Sequence, residues 1–329
     1  MEDLNATGHV LAAGKMSQPP TTAQCETDFG IACYQAFQLQ RVYNLAPLFA
    51  KGIEGQGQTI VIVDAFGSPS IASDLQTFDA QMGLPNPPSF KVRSANLNAA
   101  RHGVTVLAAS GDQGSTDYFC DPASGCANPG NATCCSSTPT ISWPSSDPLV
   151  TTVGGTQLHL DANGNRTAQD SVWHDLSSTV GVTGPVYTWG SSGGGRSAVF
   201  SRPQFQNRVA GTVGGSRGTP DIAMSAAVNG AVDFYDTTDP SVGGWGIVGG
   251  TSEASPLFSG IVPVSHGTNS YTFCVAADIQ SDQSCASSAD LVNVPGFNAN
   301  GSYNDATGWG TVNAAKFVPT LADVAGGQY

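Results

Sequence analysis

Two apolar, β-branched runs constrain this chain more than any other feature. The stretches 58-QTIVIVDAFGSPS-70 and 104-VTVLAASGDQGS-115 each read as a strand buried on both faces. Each breaks at its carboxyl end into a Gly/Ser/Asp loop, at Asp64 and at Asp112. Between them, 71-IASDLQTFDAQMGL-84 has helical spacing with Gly83 near its end. A short run, 89-SFKV-92, then leads into 94-SANLNAARHG-103, a small-residue helix closed by a glycine. Strand, helix, strand, helix, strand predicts a doubly wound, mostly parallel α/β sheet with helices on both faces. In such a sheet, functional groups collect at the carboxyl ends of the strands.

Composition narrows the function classes. Of 329 residues, 40% are hydrophobic, enough for a real core, and only 11% are charged. The formal charge is −13 with twelve Lys and Arg, which excludes a nucleic-acid binder, since phosphate contacts need cations. No apolar stretch approaches the length of a membrane span, so no membrane partner is expected. Eight cysteines fall in local groups without C-x-x-C spacing, which favours disulfides over zinc. Proximity singles out Cys25–Cys33 and Cys274–Cys285. Residues 1–45 read as a leader, a pro-segment remnant and linker, and 46–329 as one domain. From about 116 to 245 the chain turns to short β-like runs and glycine-rich loops, of which 193-GGGRSAVF-200 and 218-GTPDIAMSA-226 are the most distinctive.

The stretch 249-GGTSEASPLFSGIV-262 presents Ser252 after a Gly-Gly-Thr turn and ahead of an apolar run suited to a buried helix. A serine opening a helix is exposed for attack, beside N–H groups that can hold an oxyanion. It still needs a base. Of His9, His102, His159, His174 and His266, only His102 lies between Asp64 and the strand ending at Asp112, and it sits at the wrong edge of the sheet. An Asp-His-Ser triad is therefore not expected.

The order of these segments resembles the subtilisin-like clan, with aspartate at the oxyanion position and no His-Gly-Thr-His segment. That combination resembles the sedolisin family of serine-carboxyl peptidases. The likeness runs in order through 31-IACYQAFQLQRVYNL-45, 60-IVIVDAFGSPSIASDLQTFDAQMGLP-85, 104-VTVLAASGDQG-114, 193-GGGRSAVF-200, 219-TPDIAMSA-226, 250-GTSEASP-256 and 303-YNDATGWGT-311. The resemblance implies a secreted, acid-acting, monomeric endopeptidase acting on peptides and proteins. Ser252 would be its nucleophile, and a protonated Asp112 its oxyanion donor. Gly193, Gly194, Gly195 and Asp221 would line the substrate cleft, and Asp64 would be structural. It also implies calcium, with Asn304 and Asp305 at or beside the ligand positions of the terminal loop, although Pro263 stands where another ligand aspartate belongs. The first fifteen residues, MEDLNATGHVLAAGK, do not read as a secretory signal.

The family's base is a Glu-x-x-x-Asp helix, which sets both carboxylates on one face. This chain has four glutamates, Glu2, Glu26, Glu54 and Glu253, followed four residues later by Ala6, Gly30, Gln58 and Leu257. Against the family pattern, segments are missing at 92/93, where the helix belongs, and near 262/263. Some strands of the family fold are therefore expected to be absent. The chain reads as an inactive, internally abridged peptidase. A non-catalytic peptide-binding protein and a non-folding truncated product remain the alternatives.

Overall fold

The computed structural model describes residues 9–54, 70–90, 106–116, 138–176, 188–238, 243–257, 268–274, 291–299, 303–311 and 313–325. The first part of the chain forms β1 (His9–Met16), α1 (Thr22–Phe29), β2 (Cys33–Tyr34), α2 (Ala36–Val42), α3 (Ala46–Phe49) and α4 (Ile71–Met82). Then come β3 (Val106–Ala109), β4 (Val150–Gln157), β5 (Ser171–Val172), β6 (His174–Leu176), β7 (Thr188–Ser191) and β8 (Gly195–Ser201). A short helix α5 (Ala210–Val213) precedes β9 (Ser216–Thr219), β10 (Ile222–Ser225), β11 (Ala231–Asp236) and β12 (Gly244–Gly249). The chain closes with α6 (Thr251–Ala254), β13 (Tyr271–Cys274), β14 (Leu291–Val294) and α7 (Ala314–Ala325).

Three parallel strands position the site, in the order β10-β4-β3, with β5 antiparallel on β4. Val106–Ala109 pair with Val150–Val153, and Ile222–Ser225 with Val153–Thr156, so the carboxyl ends of all three strands come out on one edge. The apolar residues of β4 and β10 enter a core built from Val153, Ile222, Met224, Trp173, Leu158, Tyr34, Val42 and Tyr43. A second sheet, β1-β12-β11-β2, is antiparallel except where β11 meets β2. Its strand β12 ends at Gly249 and delivers the chain directly into α6.

The stretch 1–45, read from sequence as leader and linker, is built into this body from His9 onward, β1 pairing with β12. Thr21 and Gln24 form a reciprocal capping box at the start of α1, and Gly30 closes that helix in the left-handed conformation (φ 71°). Cys25 and Cys33 form a disulfide, both residues fully buried, and β2 then joins β11. Tyr34, Val42 and Tyr43 belong to the main core.

The mixed α/β class holds, as do the helix at 71–82, capped by Gly83 at φ 68°, and the strand ending before Ser110. The sheet is smaller, among the described residues, than a doubly wound pattern predicts. Among the described residues β3 has a strand neighbour on one side only, and its Leu107 is 36% exposed. The strand carrying Asp64, the segment around His102, both expected joints, and Cys120, Cys126, Cys134, Cys135 and Cys285 lie outside the described residues. No described helix is long and apolar enough to cross a membrane.

One buried carboxyl couples this fold to pH. Asp233 sits on β11 opposite Ile247, is 5% exposed, and neither of its oxygens closes a hydrogen bond. Burial pushes its pKa up to about 8, with the Gln35 side chain offsetting part of the effect. The folded chain therefore keeps a proton that the unfolded chain releases near pH 4. The stability that this group contributes is complete below about pH 4 and is lost as pH rises from about 4 through about 8. Thermal unfolding should show a midpoint at least about 5 °C lower at pH 8 than at pH 4.5. Asp233→Asn should shrink that gap, and an unchanged gap would contradict the assignment.

Candidate active site

Gly250 turns the chain out of β12 at φ 129°, and its N–H donates to the Ala226 carbonyl at 2.6 Å. Thr251 opens α6 and donates twice to one atom, Asp112 Oδ1, from its backbone N–H and from its hydroxyl, each at 2.7 Å. The same hydroxyl accepts from the Gly111 N–H at 3.1 Å. Asp112 is 7% exposed, at the carboxyl end of β3. A side chain at Gly250 would be doubly excluded: φ disfavours it, and its Cβ would lie 2.9 Å from Asp112 Oδ2. The half-buried Ser252 comes next in the chain. Thr251 thus brings together the two catalytic positions read from sequence.

The triple glycine packs beneath this turn. Gly193 N–H donates to the Gly111 carbonyl at 2.7 Å, and Ser191 N–H to the Asp112 carbonyl at 2.9 Å. A Cβ at Gly193 would fall 2.1 Å from the Ser110 carbonyl oxygen, and one at Gly194 would fall 2.2 Å from that of Asp305. The glycines at 193 and 194 are required by close approach of the chain to its own backbone. Gly195, at φ 152°, faces Ile141 and Phe297. The 303–311 loop lies against the 219–221 segment, with the Trp309 N–H donating to the Asp221 carbonyl at 2.9 Å.

Asp221 itself is held by Arg217, which is fully buried and reaches both carboxylate oxygens at 2.6 Å. Asp221 Oδ2 also accepts from the Thr152 N–H at 2.8 Å. Arg217 stacks 5.5 Å from the Phe205 ring. The carboxylate of Asp221 is therefore committed inside the protein, and only 19% of its side chain is exposed.

Asn304 and Asp305 do not fit calcium as they stand. Asn304 Oδ1 already accepts from the Ala306 N–H, the Thr307 N–H and the Thr307 hydroxyl, at 2.9 to 3.1 Å. Asp305 Oδ2 is bound to the Arg196 guanidinium at 3.0 Å, a cation where a second cation would have to approach. Burial pushes the Asp305 pKa up to about 6, against the pull of Arg196. Among the described residues no group of three or more His, Cys, Asp or Glu side chains could hold a metal ion.

No described residue supplies a base to Ser252, whose hydroxyl makes no hydrogen bond among them. Glu253 is adjacent in sequence but buried, at 8% exposure. Burial pushes its pKa well up, the Ser225 hydroxyl offsets part of this, and the charge of Asp112 adds to it.

No family model matches the chain. It is 33% identical over 227 residues to sedolisin from Pseudomonas sp. (strain 101), covering 66% of this chain and 35% of that protein. It is 35% identical over 174 residues to kumamolisin from Bacillus sp. (strain MN-32), covering 51% of this chain and 26% of that protein. The chain belongs to the sedolisin family. It spans about a third or less of the length of these relatives. A solved structure, Pseudomonas sedolisin complexed with two molecules of pseudo-iodotyrostatin, is 24% identical with a TM-score of 0.47, covering 78% of this chain and 62% of that one.

Three residues of this sedolisin-family site were not singled out from sequence: Thr251, Arg217 and Glu253. Arg217 could have been suspected from its spacing to Asp221, and Glu253 from being the only glutamate after Glu54. Arg217→Ala should destabilise the fold by about 3–5 kcal/mol, because it strands a buried carboxylate. Changing both partners, as Arg217→Met with Asp221→Leu, should cost less. Denaturant titrations of both variants check this, and equal losses would contradict it.

Proposed function

We propose that this chain carries the scaffold of a secreted, acid-acting serine-carboxyl endopeptidase that, as written, does not turn over. Ser252 stands in the nucleophile position and Asp112 in the oxyanion position. The observation that carries this reading is the double donation from Thr251 to Asp112 Oδ1, which ties the nucleophile's turn to the oxyanion carboxyl. Family membership supports peptide hydrolysis as the ancestral chemistry.

Attack by Ser252 Oγ on a peptide carbonyl requires a group to take the hydroxyl proton and later give it to the leaving amine. In acid, imidazole is protonated and a carboxylate is the suitable acceptor. The family's Glu-x-x-x-Asp is absent from these 329 residues. Glu253 does not replace it. Consecutive helical positions diverge by roughly 100°, and its carboxyl turns into the core rather than toward the half-buried Ser252. With both carboxylates of that pair missing, the acyl-enzyme does not form.

The buried carboxyls of Asp233 and Asp305, which burial pushes toward their neutral forms, each favour the fold in acid, which accords with an acid environment. Extracellular location and peptide partners follow from the same family reading. Incubating the purified chain with an unfolded protein substrate at pH 3–5 should give no cleavage above that of Ser252→Ala. Proteolysis that disappears in Ser252→Ala would overturn the proposal.

A further inference from the structure

Glu253 is the one carboxyl on the nucleophile's turn, and it is buried without a partner. It is 8% exposed, and neither carboxyl oxygen closes a hydrogen bond. The hydroxyl of Ser225, at the end of β10, faces it and is likewise buried outside hydrogen-bond geometry. Ser225 stands in register with Thr156 on β4, whose hydroxyl is also buried and unsatisfied, and the Ser110 hydroxyl just beyond β3 is a third. The helix α6 packs on all three strands at these ends. Native interiors leave few polar atoms unsatisfied, so a buried, unsatisfied carboxyl next to a candidate nucleophile calls for a physical account.

The groups facing Glu253 decide which form of it the site accepts. The loop after β3 brings Asp112, and the end of α2 brings Tyr43, whose hydroxyl accepts from the Ser225 N–H at 2.8 Å. The strands β3, β4, β10 and β12 contribute no ionisable side chain. Among the described residues no cation is therefore set against the carboxyl, and one neighbour repels its charge. A neutral acid is tolerated there and a carboxylate is not.

We propose that Glu253 is a pH-sensing positioning residue: as the neutral acid it lets the Thr251–Ala254 turn seat on Asp112, and as the carboxylate it drives that turn out of the core. Ionisation releases its proton to solvent and leaves two like charges in one buried pocket. Opening the four-residue turn relieves that repulsion at the loss of the two Thr251–Asp112 hydrogen bonds, and Ser252 moves with it. The inference rests on the proposed function only in that Ser252 rides on the same turn, and it requires no catalytic step.

Amide hydrogen exchange on the intact chain tests it, read by mass spectrometry between pH 4 and pH 8 with intrinsic rates scaled out. Peptides covering 248–256 should lose at least about tenfold in protection by pH 8, while 150–157 in β4 holds. Glu253→Gln, which cannot ionise, should keep 248–256 protected at both pH values. Glu253→Leu gives the same reading if the glutamine variant does not fold. The proposal is overturned if the variant loses protection as the parent does, if the parent stays protected at pH 8, or if 150–157 opens in parallel. Peptidase activity in the same samples would overturn the catalytic reading alone and leave the exchange pattern to be judged on its own.

Discussion

The site depends on one oxygen atom. Asp112 Oδ1 takes both donors of Thr251, and through them the end of a parallel strand is fixed to the turn that carries Ser252. Two hydrogen bonds to a buried carboxyl hold that turn far more firmly than four helical residues could by themselves, since short helices do not persist alone. Around this point the chain packs its own backbone. Gly193 lies under Ser110, Gly194 against Asp305, and the 303–311 loop against Asp221. The segments that likeness to a peptidase family singles out one by one are thus parts of a single contact network.

That network explains what sequence reading reached and what it missed. The helix at 71–82 was legible because its spacing and its terminal Gly83 are local signals, and the strand at 106–109 because its apolar run is unbroken. The joining of Ser252 to Asp112 was legible through the resemblance, not through periodicity. Glycines 193 and 194 were read as a cleft or a loose loop, because a close approach to Ser110 or Asp305 leaves no trace in the local sequence. The pairing of β1 with β12 and of β2 with β11 joins residues some two hundred positions apart, which no local pattern encodes. Residues 1–45 read as leader and linker for the same reason: the partners of β1 and β2 come late in the chain.

Buried carboxyls give the molecule a common electrostatic character. Asp233, Asp305 and Glu253 are all pushed toward their neutral forms by burial, two of them without any compensating cation. Each makes the folded state hold a proton that the unfolded state gives up, so each favours the fold in acid. The twelve cations of the chain are too few to neutralise such groups one by one, and two of them, Arg196 and Arg217, are engaged with Asp305 and Asp221. Low charge content, carboxyls raised by burial and a Ser252 turn tied to an aspartate accord with the proposed acid-acting scaffold, in which no described residue serves Ser252 as a proton acceptor.

The central claim is that Ser252 is presented but not activated. A serine-directed phosphonate reacts only where a base raises the nucleophilicity of the hydroxyl, so intact-mass analysis after prolonged exposure at pH 4 reads activation directly. The account predicts no adduct at Ser252, with a spectrum indistinguishable from that of Ser252→Ala. A stoichiometric adduct on Ser252, lost in that variant, would show that a base exists in this chain and would contradict it.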